Sequence, residues 1–214
     1  MRTTINILKT GLLITAAQFL LSSGCNKNST TPCQNATYSF AVTCNYSPER
    51  EIYNIGDTIF FESIFPKTLT SLLNPSTIVD YSNSTGIGGD IRIYYLDTIT
   101  RQPLPGKDSF AFASIIGNFQ ERTGNQNSGI NTLFFETSQN YHFKGAIICR
   151  KKGIYGFGVS DLISNGIRGK NCTNAEFVMT VTNPNKHLHL HQYTLGVDPN
   201  DPMLQRIGYD FRVQ

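Results

Sequence analysis

No apolar run in this chain is long enough to cross a bilayer as a helix: the longest, Thr10 to Leu21, holds twelve residues with Gln18 among them, against about 20 for a span. A permanent transmembrane helix is not expected. Long basic stripes are missing as well. Arg150-Lys151-Lys152 is the one basic run, and at a turn it reads as a solvated loop, so nothing points to nucleic acid. The sequence holds no Gly-x-Ser-x-Gly, no His-Glu-x-x-His and no phosphate loop, which removes the readable signatures of nucleophile, zinc and nucleotide enzymes. Gly86-Ile87-Gly88-Gly89 lacks the strand-turn-helix setting of a phosphate loop and reads as a hairpin connection. The acids are scattered, so spacing marks no carboxylate pair for glycoside hydrolysis. No amphipathic helix longer than two turns is visible, and that shortage points to sheet.

The amino terminus carries the clearest signal that is present. Arg2 and Lys9 precede the apolar run, which ends in Ser22, Ser23 and Gly24 before Cys25, the layout of a secretory signal. Leu21-Ser22-Ser23-Gly24-Cys25 resembles the lipobox of bacterial lipoproteins, although the family prefers Leu three places before the cysteine and this chain has Ser22 there. The resemblance implies cleavage before Cys25 and lipidation of its thiol, so that the acyl chains anchor the protein to a membrane. Asn26 stands where that family places the Asp that retains proteins at the inner membrane, which favours the outer membrane and leaves its face open.

Cleavage there leaves 190 residues and lowers Lys+Arg from 18 to 16 against 15 acidic residues. A chain of this length buries close to 70% of its unfolded surface, enough for one core. Of five cysteines, removing Cys25 leaves Cys33, Cys44, Cys149 and Cys172, an even set suited to disulfides outside the cytoplasm. Local pairing would join Cys33 to Cys44 in a 12-residue loop and Cys149 to Cys172 in one of 24, each contributing roughly 3 to 3.5 kcal/mol. The other two connectivities stay open.

The expected organisation is a signal peptide over 1–24, a lipidated flexible tether over 25–36, and one domain over 37–214. From Tyr38 the apolar pattern has period two: Tyr38, Phe40, Val42 and Cys44 alternate with Ser39, Ala41 and Thr43, as in a strand with one buried face. Further strands are predicted over 52–55, 58–65, 76–81, 91–95, 110–119, 130–136, 141–149, 154–160, 175–182, 187–193 and 207–213. Turns fall at Ser47-Pro48-Glu49, at Ser82 to Gly89 and at Pro103 to Gly106, Pro66 stops a ladder, and Leu69 to Leu73 reads as a short helical turn. About a dozen short strands divided by Gly, Asn and Pro turns predict an all-β antiparallel sandwich.

Two stretches, Tyr53 to Phe61 and Lys152 to Val159, resemble strands of immunoglobulin-like domains. The second implies a tyrosine corner in which the Tyr155 hydroxyl bonds back to the preceding loop. This chain departs from that family in having no Trp, and in having Phe157 where the family places a cysteine. Bacterial surface lipoproteins of similar layout are the nearest resemblance, and they bring no known activity.

His187-Leu188-His189-Leu190-His191 holds three of the four histidines at period two. On a strand the three rings would share one face, where two of them would suit a Zn²⁺ or Cu²⁺ ion with a further ligand from His142 or an acid; the plainer reading is a half-exposed strand with both leucines in the core. Tyr94 and Tyr95 fall on opposite faces of their strand. Asp57-Thr58-Ile59 and Asp97-Thr98-Ile99 resemble a short bacterial O-glycosylation motif. The leading expectation is a non-enzymatic outer-membrane lipoprotein whose loops, Ser82 to Gly89 and Gln120 to Gly129, contact a glycan or an envelope protein. A metal-binding envelope protein and a hydrolase without a readable motif are the alternatives.

Overall fold

A computed structural model describes residues 38–121 and 129–214. Cys25 and Cys33, and with them the expected signal peptide and tether, lie outside the described residues. Every element named below lies in the compact unit of residues 35–214.

Strand β1 (Tyr38–Ser47) sets the architecture. Phe40, Val42, Cys44 and Tyr46 are buried while Ala41, Thr43 and Asn45 are exposed, so the expected alternation is carried through. Residues 38–44 pair in parallel with β15 (Ala175–Val181). Residues 45–47 then pair antiparallel with β3 (Thr58–Pro66). One strand therefore belongs to two sheets. At the crossing, Tyr46 N donates to Asn183 Oδ1 at 2.7 Å and Asn183 Nδ2 donates to Tyr46 O at 2.7 Å. A side-chain amide thus replaces the ladder partner that β15 no longer supplies, as a buried backbone requires.

The first layer comprises the end of β1, β3 and β12 (Asn140–Cys149), with β8 (Phe110–Ile116) and β11 (Phe135–Glu136) along the other side of β12. In the second layer, β6 (Ile87–Leu96) is flanked on one side by β14 (Leu162–Ser164) and β13 (Gly153–Val159) in succession. β14 continues to β15, and β13 to β16 (Gly208–Val213) and β2 (Ile52–Tyr53). β10 (Gly129–Leu133) and β7 (Pro103–Pro105) pair with β6, and β9 (Asn118–Gln120) with β10. A separate hairpin joins β4 (Thr68–Thr70) to β5 (Ile78–Asp80). Most pairs are antiparallel; β1 with β15 and β2 with β16 are parallel.

Aromatic rings join the layers. Phe65 of β3 lies 5.4 Å from Phe177 of β15, and Phe110 of β8 lies 4.9 Å from Tyr155 and 5.5 Å from Phe157 of β13, spacings at which ring pairs attract beyond their burial. The result is an all-β sandwich.

The tyrosine corner is present. Tyr155 Oη donates to the carbonyls of Lys151 and Lys152 at 3.1 and 3.3 Å, fastening the basic turn to the strand that follows it. Phe157, in the place of the family's cysteine, is buried among Tyr46, Phe110 and Phe211. Replacing Tyr155 by phenylalanine removes the hydroxyl and keeps the ring, so urea denaturation should show a loss of about 1 kcal/mol. A stability equal to wild type would mean that the corner contributes nothing.

Several expectations are corrected. Cys44 and Cys149 are free, buried thiols, so neither the Cys33–Cys44 nor the Cys149–Cys172 bridge forms. Cys44 belongs to the inward row of β1, and burial pushes both thiols up, Cys149 to about 12. Cys172 is disulfide-bonded, and neither of those thiols is its partner. Residues 68–70 form a strand instead of a helical turn. Pro103 and Pro105 lie in a strand at a sheet edge, where a missing N–H is tolerated. Gly88 and Gly89 stand inside β6, and a Cβ at Gly88 would approach Thr132 O to 2.5 Å, so close strand approach requires glycine there.

The segment predicted as a histidine strand, 187–193, is helical from His189 onward. α1 (His189–Leu195) ends at Gly196, whose φ of +73° is the left-handed stop common at helix ends. α2 (Pro202–Ile207) starts from Asp201, whose side chain accepts from Met203 N and Leu204 N, with Pro202 in the first turn.

Candidate functional site

A partly polar concavity lies at the fork in the second layer, where β13 and β14 part along β6. Asp161 sits at the fork. Its Oδ1 accepts from Met179 N at 2.9 Å and from Arg206 Nη1 at 2.6 Å, while the same Nη1 donates to Met179 O at 2.9 Å. The pair thereby satisfies a backbone position that sheet pairing leaves open. Beside it lies a cleft of about 520 Å³ whose walls include Thr85, Gly86, Gln120, Asn131, Ser160 and Asn165. Ser160 Oγ accepts from Asp90 N at 2.7 Å, which holds one wall, and Gly89 admits the Leu162 side chain, which a Cβ would meet at 2.8 Å.

Both expected recognition loops reach this cleft. Thr85 and Gly86 come from the first, whose residues 87–89 are strand, and Gln120 comes from the start of the second, whose residues 122–128 lie outside the described residues. Amide and hydroxyl groups beside backbone can exchange several directional hydrogen bonds with a ligand rich in hydroxyls. Among the described residues no aromatic side chain lines the cleft.

The three histidines go to two different partners. His187 Nδ1 lies 3.9 Å and His189 Nε2 3.5 Å from the Glu51 carboxylate. His191 Nδ1 lies 2.9 Å from Asp210 Oδ2. Burial lowers the pKa of His187, against the pull of Glu51 and Glu49. His187 and His189 stay neighbours beside Glu51, with ring centroids 6.4 Å apart, while His191 turns to Asp210, so the three rings do not share the one strand face on which the Zn²⁺ or Cu²⁺ expectation for His187, His189 and His191 rested. His142, the expected further ligand, is bonded to Glu62 at 2.9 Å. Among the described residues no group of three or more His, Cys, Asp or Glu side chains is placed to hold a metal ion.

Other expected positions fall as follows. Tyr95 packs inward against Tyr155, with ring centroids 5.7 Å apart, while Tyr94 faces outward beside α2. Arg150, Lys151 and Lys152 are exposed on their turn. Thr98 is exposed, whereas Thr58 is half-buried in β3. Glu51, Arg206 and Asp210 were not singled out from sequence, because each gains its role from a partner far along the chain.

These features define an all-β sandwich with a polar cleft at a sheet fork. No family model and no curated protein matches the chain. Among solved structures, it is similar to a cohesin module from a Clostridium perfringens ATCC13124 family 33 glycoside hydrolase, with a TM-score of 0.36 and 6% identity over 82% of this chain and 98% of that one. It is also similar to AvmM, which catalyses macrocyclisation in alchivemycin A biosynthesis, with a TM-score of 0.36 and 8% identity over 84% of this chain and 96% of that one.

Proposed function

We propose that this is a non-enzymatic outer-membrane lipoprotein, anchored through acylated Cys25, whose sandwich binds a polyhydroxylated ligand of the envelope, a glycan, in the cleft at the β13–β14 fork. The observation that carries this reading is the meeting of Thr85-Gly86 with Gln120, Asn131 and Asn165 around about 520 Å³. Amide side chains suit sugar hydroxyls because each offers a donor pair and an acceptor in one plane. The Asp161–Arg206 pair behind the cleft holds the fork in shape, so little order has to be gained on binding.

A glycan array probed with the wild-type protein should give discrete hits. Replacing both Asn131 and Asn165 by alanine should weaken them by roughly tenfold or more, at unchanged thermal stability. An array without hits, or hits indifferent to the double substitution, would remove the binding reading. Mass spectrometry of native protein should find acyl chains on Cys25; an unmodified soluble start downstream of it would remove the anchor.

A further inference from the structure

Strand register arranges the walls of the fork cleft in two rows of different chemistry. Leu133 of β10, Gly88 of β6 and Ile163 of β14 are cross-strand partners in one row, so the two side chains stand on the same side of the sheet. Ile163 is 67% exposed, which makes that side the outer one. Between the two aliphatic chains Gly88 has none, and the surface there is bare backbone with an apolar post at each end. All three residues line the cleft.

Two positions further along, the row changes character. Asn131 of β10 lies opposite Asp90 of β6 on one side and Gln120 of β9 on the other. Residues two apart on a strand share a face and stand about 6.5–7 Å apart, so Asn131 and Leu133 present an amide and an isobutyl group to the same ligand. The aliphatic row supplies the apolar contact that an aromatic platform would otherwise give a sugar.

Charge narrows the ligand further. The cleft walls include the acidic residues Asp90 and Asp161 and, among the described residues, no Lys, Arg or His. Arg206 is engaged with Asp161 and with Met179 O. An anionic sugar would meet carboxylates with no cation in the walls to receive it, which disfavours uronic, sialic and phosphorylated glycans.

We propose that the glycan bound in this cleft is an uncharged one bearing acetamido groups. The acetamido methyl lies on the Leu133–Gly88–Ile163 row, and the ring hydroxyls exchange hydrogen bonds with the Gln120–Asn131 row. This inference rests on the glycan reading of the cleft and adds the class of sugar to it.

The test titrates three disaccharides of one β-1,4 frame into isotope-labelled protein: chitobiose, which carries two acetamido groups, cellobiose, which carries hydroxyls in their place, and cellobiouronic acid, which adds a carboxylate to cellobiose. The methyl signals of Leu133 and Ile163 are followed by NMR. Chitobiose should saturate them below about 10 mM and bind roughly fivefold more tightly than cellobiose, the gain from covering about one methyl group. The acid should bind most weakly. Ile163→Ser, at an exposed position, should bring chitobiose down to the level of cellobiose and leave cellobiose unchanged. Cellobiose binding as tightly as chitobiose, the acid binding more tightly than cellobiose, or a chitobiose preference that survives Ile163→Ser overturns the acetamido assignment and leaves glycan binding standing. Saturation by none of the three overturns both.

Discussion

Phe177→Ala should lower the unfolding free energy by about 3–5 kcal/mol, the range for emptying a large aromatic site in a close-packed core. Phe177 is fully buried, and its ring lies 5.3 Å from Phe40, 5.4 Å from Phe65 and 5.5 Å from Tyr81. Phe40 belongs to β1 and Phe65 to the opposite layer, so the ring fills space between the sheets as well as between neighbouring strands. Its removal loses transfer free energy and leaves a cavity that rigid strands on both sides cannot close. Phe177→Leu keeps much of the volume and should recover most of the loss. Urea denaturation at constant m-value checks both. A cost below about 1 kcal/mol for alanine would mean that the layers do not meet at this residue.

Asn183→Ala removes the amide that serves both backbone groups of Tyr46, and roughly 2–4 kcal/mol should be lost. The figure follows from two buried backbone groups left without partners, each costing about 1–3 kcal/mol less whatever relaxation recovers. Asn183 is buried, and its Nδ2 also reaches Glu49 Oε2 at 3.2 Å, so a water entering the gap would need to displace neighbouring side chains. Hydrogen exchange supplies a local readout. The Tyr46 amide should lose protection in the variant by more than the global loss accounts for, because the crossing of β1 between sheets opens first. Unchanged protection of Tyr46 would show that its N–H has another acceptor. Asn183→Asp keeps the acceptor for Tyr46 N and loses the donor to Tyr46 O, and it should fall between wild type and alanine or below both if its charge stays buried.

Where the sequence misled, the reason lies in distance along the chain. His187 to His191 has strand periodicity, yet Leu188 and Leu190 are buried just as a strand would bury them, so alternation over five residues did not separate strand from helix. The signal that bears on it stood outside the pentapeptide, at Gly196, the left-handed stop that ends α1. That Cys44 and Cys149 end as separate buried thiols is not legible in their spacing, because it depends on which strands pack across β1 and β12.

What the amino acids determine alone is local: the alternation of β1, the end of β3 at Pro66, the Tyr155 corner, and the alternating faces of Tyr94 and Tyr95, all set by side-chain direction and backbone chemistry within a few residues. The fork at Asp161, the amide clamp on Tyr46 and the row of Leu133, Gly88 and Ile163 were decided only in three dimensions. Each depends on the register between strands far apart in the chain, and register is chosen by the packing of the whole sandwich, since a slip of one residue would turn every buried ring outward.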